Sequence, residues 1–171
     1  MTLRRLTQQD APALRALWSE GLRQMPAAFL LTEAELLAIP DERFAANIDG
    51  ALHIGTFSDD KLLGFVIARR GGVARLRHTA DIGPLYVSMT AQGRGLGRAL
   101  MQAALDTLTG QGLKQVELTV DEANTAAVGL YKDLGFTSFG RRPRSVIVNG
   151  IDRTDLLMIR ALDGAELFAG A

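Results

Sequence analysis

Apolar positions in the first third of the chain recur at helical spacing. Leu14, Leu17, Trp18, Leu22 and Met25 lie three or four residues apart until Pro26 stops the run, the signature of one buried helix face. Ahead of them, Thr7-Gln8-Gln9-Asp10 has the spacing of a capping box, with Asp in place of the usual Glu or Gln. A full box, Thr32-Glu33-Ala34-Glu35, precedes Leu36, Leu37 and Ile39. Beyond Pro40, residues 41–48 predict another short helix. A short strand over Leu3 to Leu6 opens the chain. From Ala51 the texture changes. Leu52 to Ser58 and Leu62 to Arg69 read as a hairpin turning at Asp59-Asp60. A basic stretch with Gly71-Gly72 follows, then a strand over Ile82 to Val87.

Helical spacing returns with Leu96, Ala99, Leu100, Ala103, Thr107 and Leu108, ended by Gly110 and Gly112. Val116, Leu118 and Val120 alternate with Gln115, Glu117 and Thr119, as in a half-buried strand. Ala127, Leu130, Tyr131 and Leu134 form a last helical stripe, with Gly135 where a C-cap belongs. Phe136 to Gly140 and Ile151 to Leu162 predict a final strand pair turning at Arg141-Arg142-Pro143-Arg144. The order predicts one α/β (α+β) domain over residues 1–162, with helices covering a mixed sheet. Residues 163–171 read as a frayed tail.

Composition narrows the function. The 171 residues suit one domain, and 47% hydrophobic with 22% charged residues argues against disorder. Nineteen basic residues balance nineteen acidic ones, which removes the global field that nucleic acid or an anionic membrane would require. No cysteine is present, so disulfides, thiolate metal sites and a cysteine nucleophile are excluded. His53 and His78 are too far apart to suggest a His-rich metal site. The N-terminus lacks an apolar signal core, and no apolar run reaches the roughly 18 residues of a membrane span. A cytoplasmic location is expected.

Leu85-Tyr86-Val87-Ser88-Met89-Thr90-Ala91-Gln92-Gly93-Arg94-Gly95-Leu96-Gly97-Arg98 is the most informative segment. A strand enters a glycine-rich turn that opens into a helix. Glycines let main-chain N–H groups face inward, and the open N–H groups of a first helical turn add positive charge. Such a turn cradles phosphate, with Arg94 and Arg98 placed to add charge. The alternating Gly93, Gly95 and Gly97 fit neither the dinucleotide spacing nor the P-loop spacing.

Gln92-x-x-Gly95-x-Gly97 resembles the pyrophosphate-binding signature of the GNAT superfamily of acetyl-CoA-dependent N-acetyltransferases. Asn124-Thr125-Ala126-Ala127-Val128-Gly129-Leu130-Tyr131-Lys132-Asp133-Leu134-Gly135-Phe136 is similar to that family's Asn-x-x-Ala-x-x-Leu-Tyr-x-x-x-Gly-Phe helix. Element order agrees from Leu3 to about Leu162. The resemblance implies a mixed, mostly antiparallel sheet with splayed parallel central strands, and a bulge near Gly83-Pro84, where a proline fits poorly in a regular strand. It implies acetyl-CoA as co-substrate and no metal. Leu85, Tyr86 and Val87 would contact the pantetheine arm, Gln92, Gly93, Arg94, Gly95, Leu96, Gly97 and Arg98 the pyrophosphate, and Asn124 the cofactor near its arm. Many relatives pair as homodimers, which sets the expectation for assembly.

Acetyl transfer needs a neutral amine, a stabilised oxyanion and a protonated leaving thiol. An alkyl amine with a pKa near 10.4 costs roughly 4 to 5 kcal/mol to neutralise at pH 7, and an α-amine only about 1.4 kcal/mol. Free N–H donors on the bulged strand suit the oxyanion. The resemblance makes Tyr131 the acid that protonates the thiolate and binds the cofactor, although its stripe position also suits the core. Asp81, six residues before Val87, is the first choice as base; Glu117, Glu33 or an ordered water compete. Arg69, Arg70, Arg75 and Arg77, and Arg141, Arg142 and Arg144, read as solvated hairpin ends, with an acidic acceptor or the cofactor's 3′-phosphate as the alternative. With no cysteine for a covalent intermediate, direct transfer in a ternary complex is expected. The acceptor is a small-molecule amine, or a protein α-amine or lysine. The runner-up is a non-catalytic acyl-CoA-binding sensor.

Overall fold

The computed structural model describes residues 1–168. Along the chain run β1 (Thr2–Arg5), α1 (Ala11–Gln24), α2 (Glu33–Ala38), α3 (Asp41–Asp49), β2 (Leu52–Ser58), β3 (Lys61–Arg70) and β4 (Thr79–Val87). After these come α4 (Leu96–Gly110), β5 (Gln115–Asp121), α5 (Thr125–Asp133), β6 (Thr137–Val148) and β7 (Ile151–Ala161). The sheet order is β1-β2-β3-β4-β5-β7-β6. β4 and β5 are parallel, and the β1–β2, β2–β3, β5–β7 and β6–β7 ladders are antiparallel. This is the mixed, mostly antiparallel α/β class predicted. The chain divides into two compact units, Met1–Arg69 with Gly83–Ala104, and Arg70–Ile82 with Leu105 onward.

In the first unit the α1 stripe builds the core as its spacing predicts. Leu14, Leu17, Trp18 and Leu22 are buried with Leu36, Phe44, Phe65 and Tyr86, and the Trp18 ring lies 5.6 Å from Phe65. The box at Thr7 caps a 3-10 turn over Gln8–Asp10 rather than α1 itself, which starts at Ala11. Asp10 accepts from the Thr7 main chain at 2.8 Å and from Arg4 at 2.7 and 2.8 Å, and the Arg4 guanidinium draws its pKa down to about 2. The second box forms as read, with Glu35 accepting from Thr32 N–H at 2.7 Å. Asp59 and Asp60 both take positive φ, 48° and 64°, the conformation that a two-residue hairpin turn demands.

In the second unit, β5 pairs with β7 without interruption from Gln115↔Ala161 to Asp121↔Asp155. β4 contributes a short parallel ladder, Thr79–Asp81 against Gln115–Glu117. Asn124 caps α5, its Oδ1 accepting from Ala127 N–H at 3.2 Å, and Gly135 at φ 83° lies just past the Leu134 C-cap. Two expectations need correction. β6 runs straight through Arg141-Arg142-Pro143-Arg144 and turns at Asn149-Gly150 (φ 51° and 77°). Pro143 is tolerated because β6 is an edge strand whose register shifts between Arg142 and Val146. Secondly, α4 buries Leu96, Leu100, Met101, Ala104, Leu105 and Leu108, while the predicted Ala99, Ala103 and Thr107 are only half-buried. Residues 163–168 carry neither helix nor strand; the rest of the expected tail, 169–171, lies outside the described residues.

Candidate active site

The glycine-rich turn is assembled from its two flanks. β4 ends as Ser88 N–H donates to the Leu63 carbonyl at 2.8 Å, and a 3-10 turn spans Met89–Ala91. Ala91 and Leu96 are buried against Leu63 and anchor the turn from beneath. The Gln92 side chain bonds back to the Val87 carbonyl at 3.0 Å, so its amide braces the turn. Gly93 and Gly95 adopt φ 74° and 75°, and a Cβ on either would meet nothing within 4 Å. Only glycine takes that backbone cheaply, and the space each lacking side chain leaves is open.

The first helical bond of α4 runs from Ala99 N–H to the Gly95 carbonyl at 3.0 Å. From Gln92 through Gly97, no main-chain N–H has a hydrogen-bond acceptor among the described residues. Consecutive unpaired donors at a helix start form an anion cradle. Arg94 leans on the Thr90 carbonyl at 3.4 Å.

The strand leading into the turn divides its side chains. Leu85 and Val87 are half-buried, whereas Tyr86 is 3% exposed in the aromatic core with Phe29 and Phe65. Its hydroxyl donates to Glu20 at 3.0 Å. Burial, and then the Glu20 carboxylate, pushes its pKa up to about 12. Only the main chain of Tyr86 is left for a ligand. Next along β4 toward the N-terminus, Gly83-Pro84 is a cis peptide with Gly83 at φ 148°. The parallel ladder with β5 ends two residues before it, at Asp81↔Glu117.

Tyr131 lies on α5, half-buried, with its ring 5.9 Å from Phe136 in an edge-on contact. Its hydroxyl has no hydrogen-bond partner among the described residues. Desolvation pushes its pKa up to about 12. Asp81 is exposed and is the register partner of Glu117, so these two candidate bases stand side by side. Glu117 accepts from Gln115 at 3.0 Å. Glu33 belongs to the first unit. Ser19 and Arg23 hold it, and the Ser19 hydroxyl, then Arg23, draw its pKa below the usual range.

Several basic residues are already engaged. Arg141 grips Glu122 at 2.6 and 2.7 Å, Arg144 pairs with Asp152 at 2.8 Å, and Arg69 caps the Gly83 carbonyl at 2.8 Å. A cavity of about 400 Å³ lies among Gly135, Arg160 and Gly164 to Phe168; it includes none of the predicted site residues. Glu20, Asp121 and Asp155 escaped the sequence reading. The continued alternation Gln115, Glu117, Thr119, Asp121 was the available signal for the second of these. Among the described residues, no group of three or more His, Cys, Asp and Glu could hold a metal, and no helix is long and apolar enough to cross a membrane.

The model of the acetyltransferase (GNAT) family matches residues 14–136, which contain both the glycine turn and the Asn124–Phe136 helix. The chain belongs to the GNAT acetyltransferase family. This GNAT chain is 40% identical over 131 residues to the mycothiol acetyltransferase of Salinispora tropica, a match covering 74% of this chain and 41% of that protein. It spans less than half the length of the curated relatives it matches. In structure it resembles yncA of Salmonella typhimurium, solved with its cofactor acetyl-CoA (TM-score 0.85, 19% identity, 100% of this chain and 99% of that one). It also resembles a GNAT-family acetyltransferase of Streptococcus pneumoniae (TM-score 0.83, 23% identity, 94% and 98%).

Proposed function

We propose that this GNAT chain moves the acetyl group of acetyl-CoA to a primary amine of a small molecule, or to a protein α-amine or lysine, by direct attack in a ternary complex. Residues 1–162 act as one acetyltransferase domain. The observation that carries the reading is the run of unpaired N–H groups from Gln92 through Gly97. A diphosphate fits it: Gly93 and Gly95 leave open space where side chains would stand, and the start of α4 favours negative charge.

When bound, acetyl-CoA supplies an activated acyl thioester. The chain's own residues then divide the work. Gln92 to Arg98 hold the diphosphate, with Arg94 and Arg98 adding charge. Main-chain groups of Leu85, Tyr86 and Val87 pair with the pantetheine arm as a neighbouring strand would, and free N–H donors there face the developing oxyanion. Asn124 uses its oxygen to cap α5, which leaves its Nδ2 donor for the cofactor. Tyr131 offers a hydroxyl without a competing partner to the departing sulfur. Asp81, exposed beside Glu117, takes the proton that the amine sheds.

Calorimetry tests the cradle. Acetyl-CoA is expected to bind more tightly than ATP or NAD, and absence of heat with acetyl-CoA would sink the reading. An amine panel followed by free-CoA release tests the transfer, and a cysteine-free chain gives a thiol reagent no background. Tight binding with no thiol release against any amine would mark a sensor instead.

A further inference from the structure

Of the three candidates for arm contact, Tyr86 is the one with a buried side chain, and α1 meets it at two consecutive residues. The Glu20 carboxylate accepts from the Tyr86 hydroxyl at 3.0 Å. Gly21, one position on, lets the ring in: a Cβ there would stand 3.1 Å from Tyr86 Cγ and 2.7 Å from Phe29 Cζ. Glycine inside a helix is destabilising relative to alanine, so its place within α1 marks the close approach rather than the needs of the helix. Phe29 packs on the same ring, with centroids 5.9 Å apart. All of these residues belong to the first unit, as does the glycine turn.

The same hydroxyl reaches the start of the turn. Met89, first residue of the 3-10 turn that leads into Gln92, presents its main-chain N–H to the Tyr86 oxygen. One phenol thus ties α1 to the segment between β4 and the run of unpaired N–H groups. Arg23, whose charge is also felt at that hydroxyl, is held by Ser19 at 2.9 Å and by Glu33, which leaves Glu20 to the phenol. Glu20 is half-buried, and a hydrogen bond to a carboxylate is stronger than one between neutral groups. On its other flank the turn is fixed by buried Ser88 and Ala91. Glu20 supplies the constraint from α1.

We infer that Glu20 is a positioning residue for acetyl-CoA: through the Tyr86 hydroxyl it fixes the end of β4 and the entry to the glycine turn, so that the main chain of residues 85–87 and the N–H groups from Gln92 to Gly97 stand ready for the arm and the diphosphate. This rests on the acetyltransferase reading and adds to it a residue that acts through another side chain. The physical reason is preorganisation, since donors already aimed bind without first being ordered.

Calorimetry with acetyl-CoA, paired with thermal melting, tests this. Glu20→Ala and Tyr86→Phe each remove one end of the bond and should weaken acetyl-CoA binding by about 3- to 10-fold. Tyr86→Phe keeps the ring, so it reads the bond even where Glu20→Ala unsettles α1. Glu20→Gln keeps an oxygen for the hydroxyl and should bind within about twofold of the wild type. The double variant Glu20→Ala/Tyr86→Phe should lose no more than the worse single one, because both act on one bond. Ile48→Val, a core truncation on α3, is the comparison: its melting temperature should fall while acetyl-CoA affinity holds. Should Glu20→Ala and Tyr86→Phe melt lower yet bind as the wild type does, the bond is scaffold alone and the inference is overturned. It is overturned equally if Glu20→Gln loses as much as Glu20→Ala, or if the two single losses multiply in the double variant. Those failures leave the acetyltransferase reading standing; a wild type that binds no acetyl-CoA would remove both.

Discussion

In the proposed role of acid, Tyr131 would serve a thiolate from a hydroxyl that burial has pushed up to about 12. A thiol titrates near ~8.5, so complete transfer is uphill by roughly 5 kcal/mol before the site acts on the sulfur. A phenol this reluctant to ionise acts first by donating a hydrogen bond to the sulfur, and the proton follows only as negative charge collects on sulfur in a desolvated site. Tyr131→Phe is therefore expected to lower kcat by about 10- to 100-fold and leave acetyl-CoA affinity unchanged in calorimetry; wild-type turnover would end the acid role. The motif made Tyr131 legible as a candidate, and its stripe foretold partial burial. The missing partner of its hydroxyl was not legible, because helical spacing reports which face a ring occupies and not what meets its tip. Tyr86 makes the same point from the other side. It sits among the arm-contact residues in sequence, but strand alternation sends its ring into the core with Phe65, and Glu20 lies 66 residues away along the chain.

At the scale of elements, the glycine turn was readable in full because its conformation is local. Positive φ at Gly93 and Gly95 is what a glycine-rich strand-to-helix turn needs, whatever surrounds it. An alanine at such a φ costs about 1 kcal/mol or more. Gly95→Ala also puts a methyl group into the open space where a diphosphate would lie. Acetyl-CoA affinity should fall at least about tenfold, measured beside Gly72→Ala, which has open space and no positive φ and should stay within about 0.5 kcal/mol of wild-type stability. Equal acetyl-CoA affinity in the two variants would detach the turn from the ligand. The β6–β7 hairpin was read one segment too early. Arg141 to Arg144 looked like a turn for its proline and charge, yet Asn149-Gly150 carried the stronger signal. Gly150→Ala, at φ 77°, should cost about 1 kcal/mol in denaturant unfolding without altering acetyl-CoA affinity; an unchanged midpoint would contradict the turn.

For the whole molecule, element order and sheet class followed from periodicity, since each stripe needs one covered face. The pairing of Asp121 with Asp155 did not, because it exists only once register sets β5 against β7. Charge also governs how the whole fold responds to pH. Asp10 is held near 2 by Arg4, so its contribution is present above about pH 4 and lost as pH falls toward 2. The alkaline side belongs to Tyr86 and Tyr131, the only tyrosines in the chain. Both are raised to about 12, against about 10 when unfolded. Between those values the native chain keeps protons that the unfolded chain has released, so stability present below pH 10 drains as pH climbs toward 12. Ultraviolet titration of the folded protein should give almost no phenolate at about pH 10.5, and urea at that pH should bring it up at once. In Tyr86→Phe the remaining signal belongs to Tyr131 alone and should stay equally late. Phenolate appearing half-way by about pH 10 in that variant would mean that the Tyr131 hydroxyl is solvated, and with it would go the desolvated donor on which the proton-transfer argument stands.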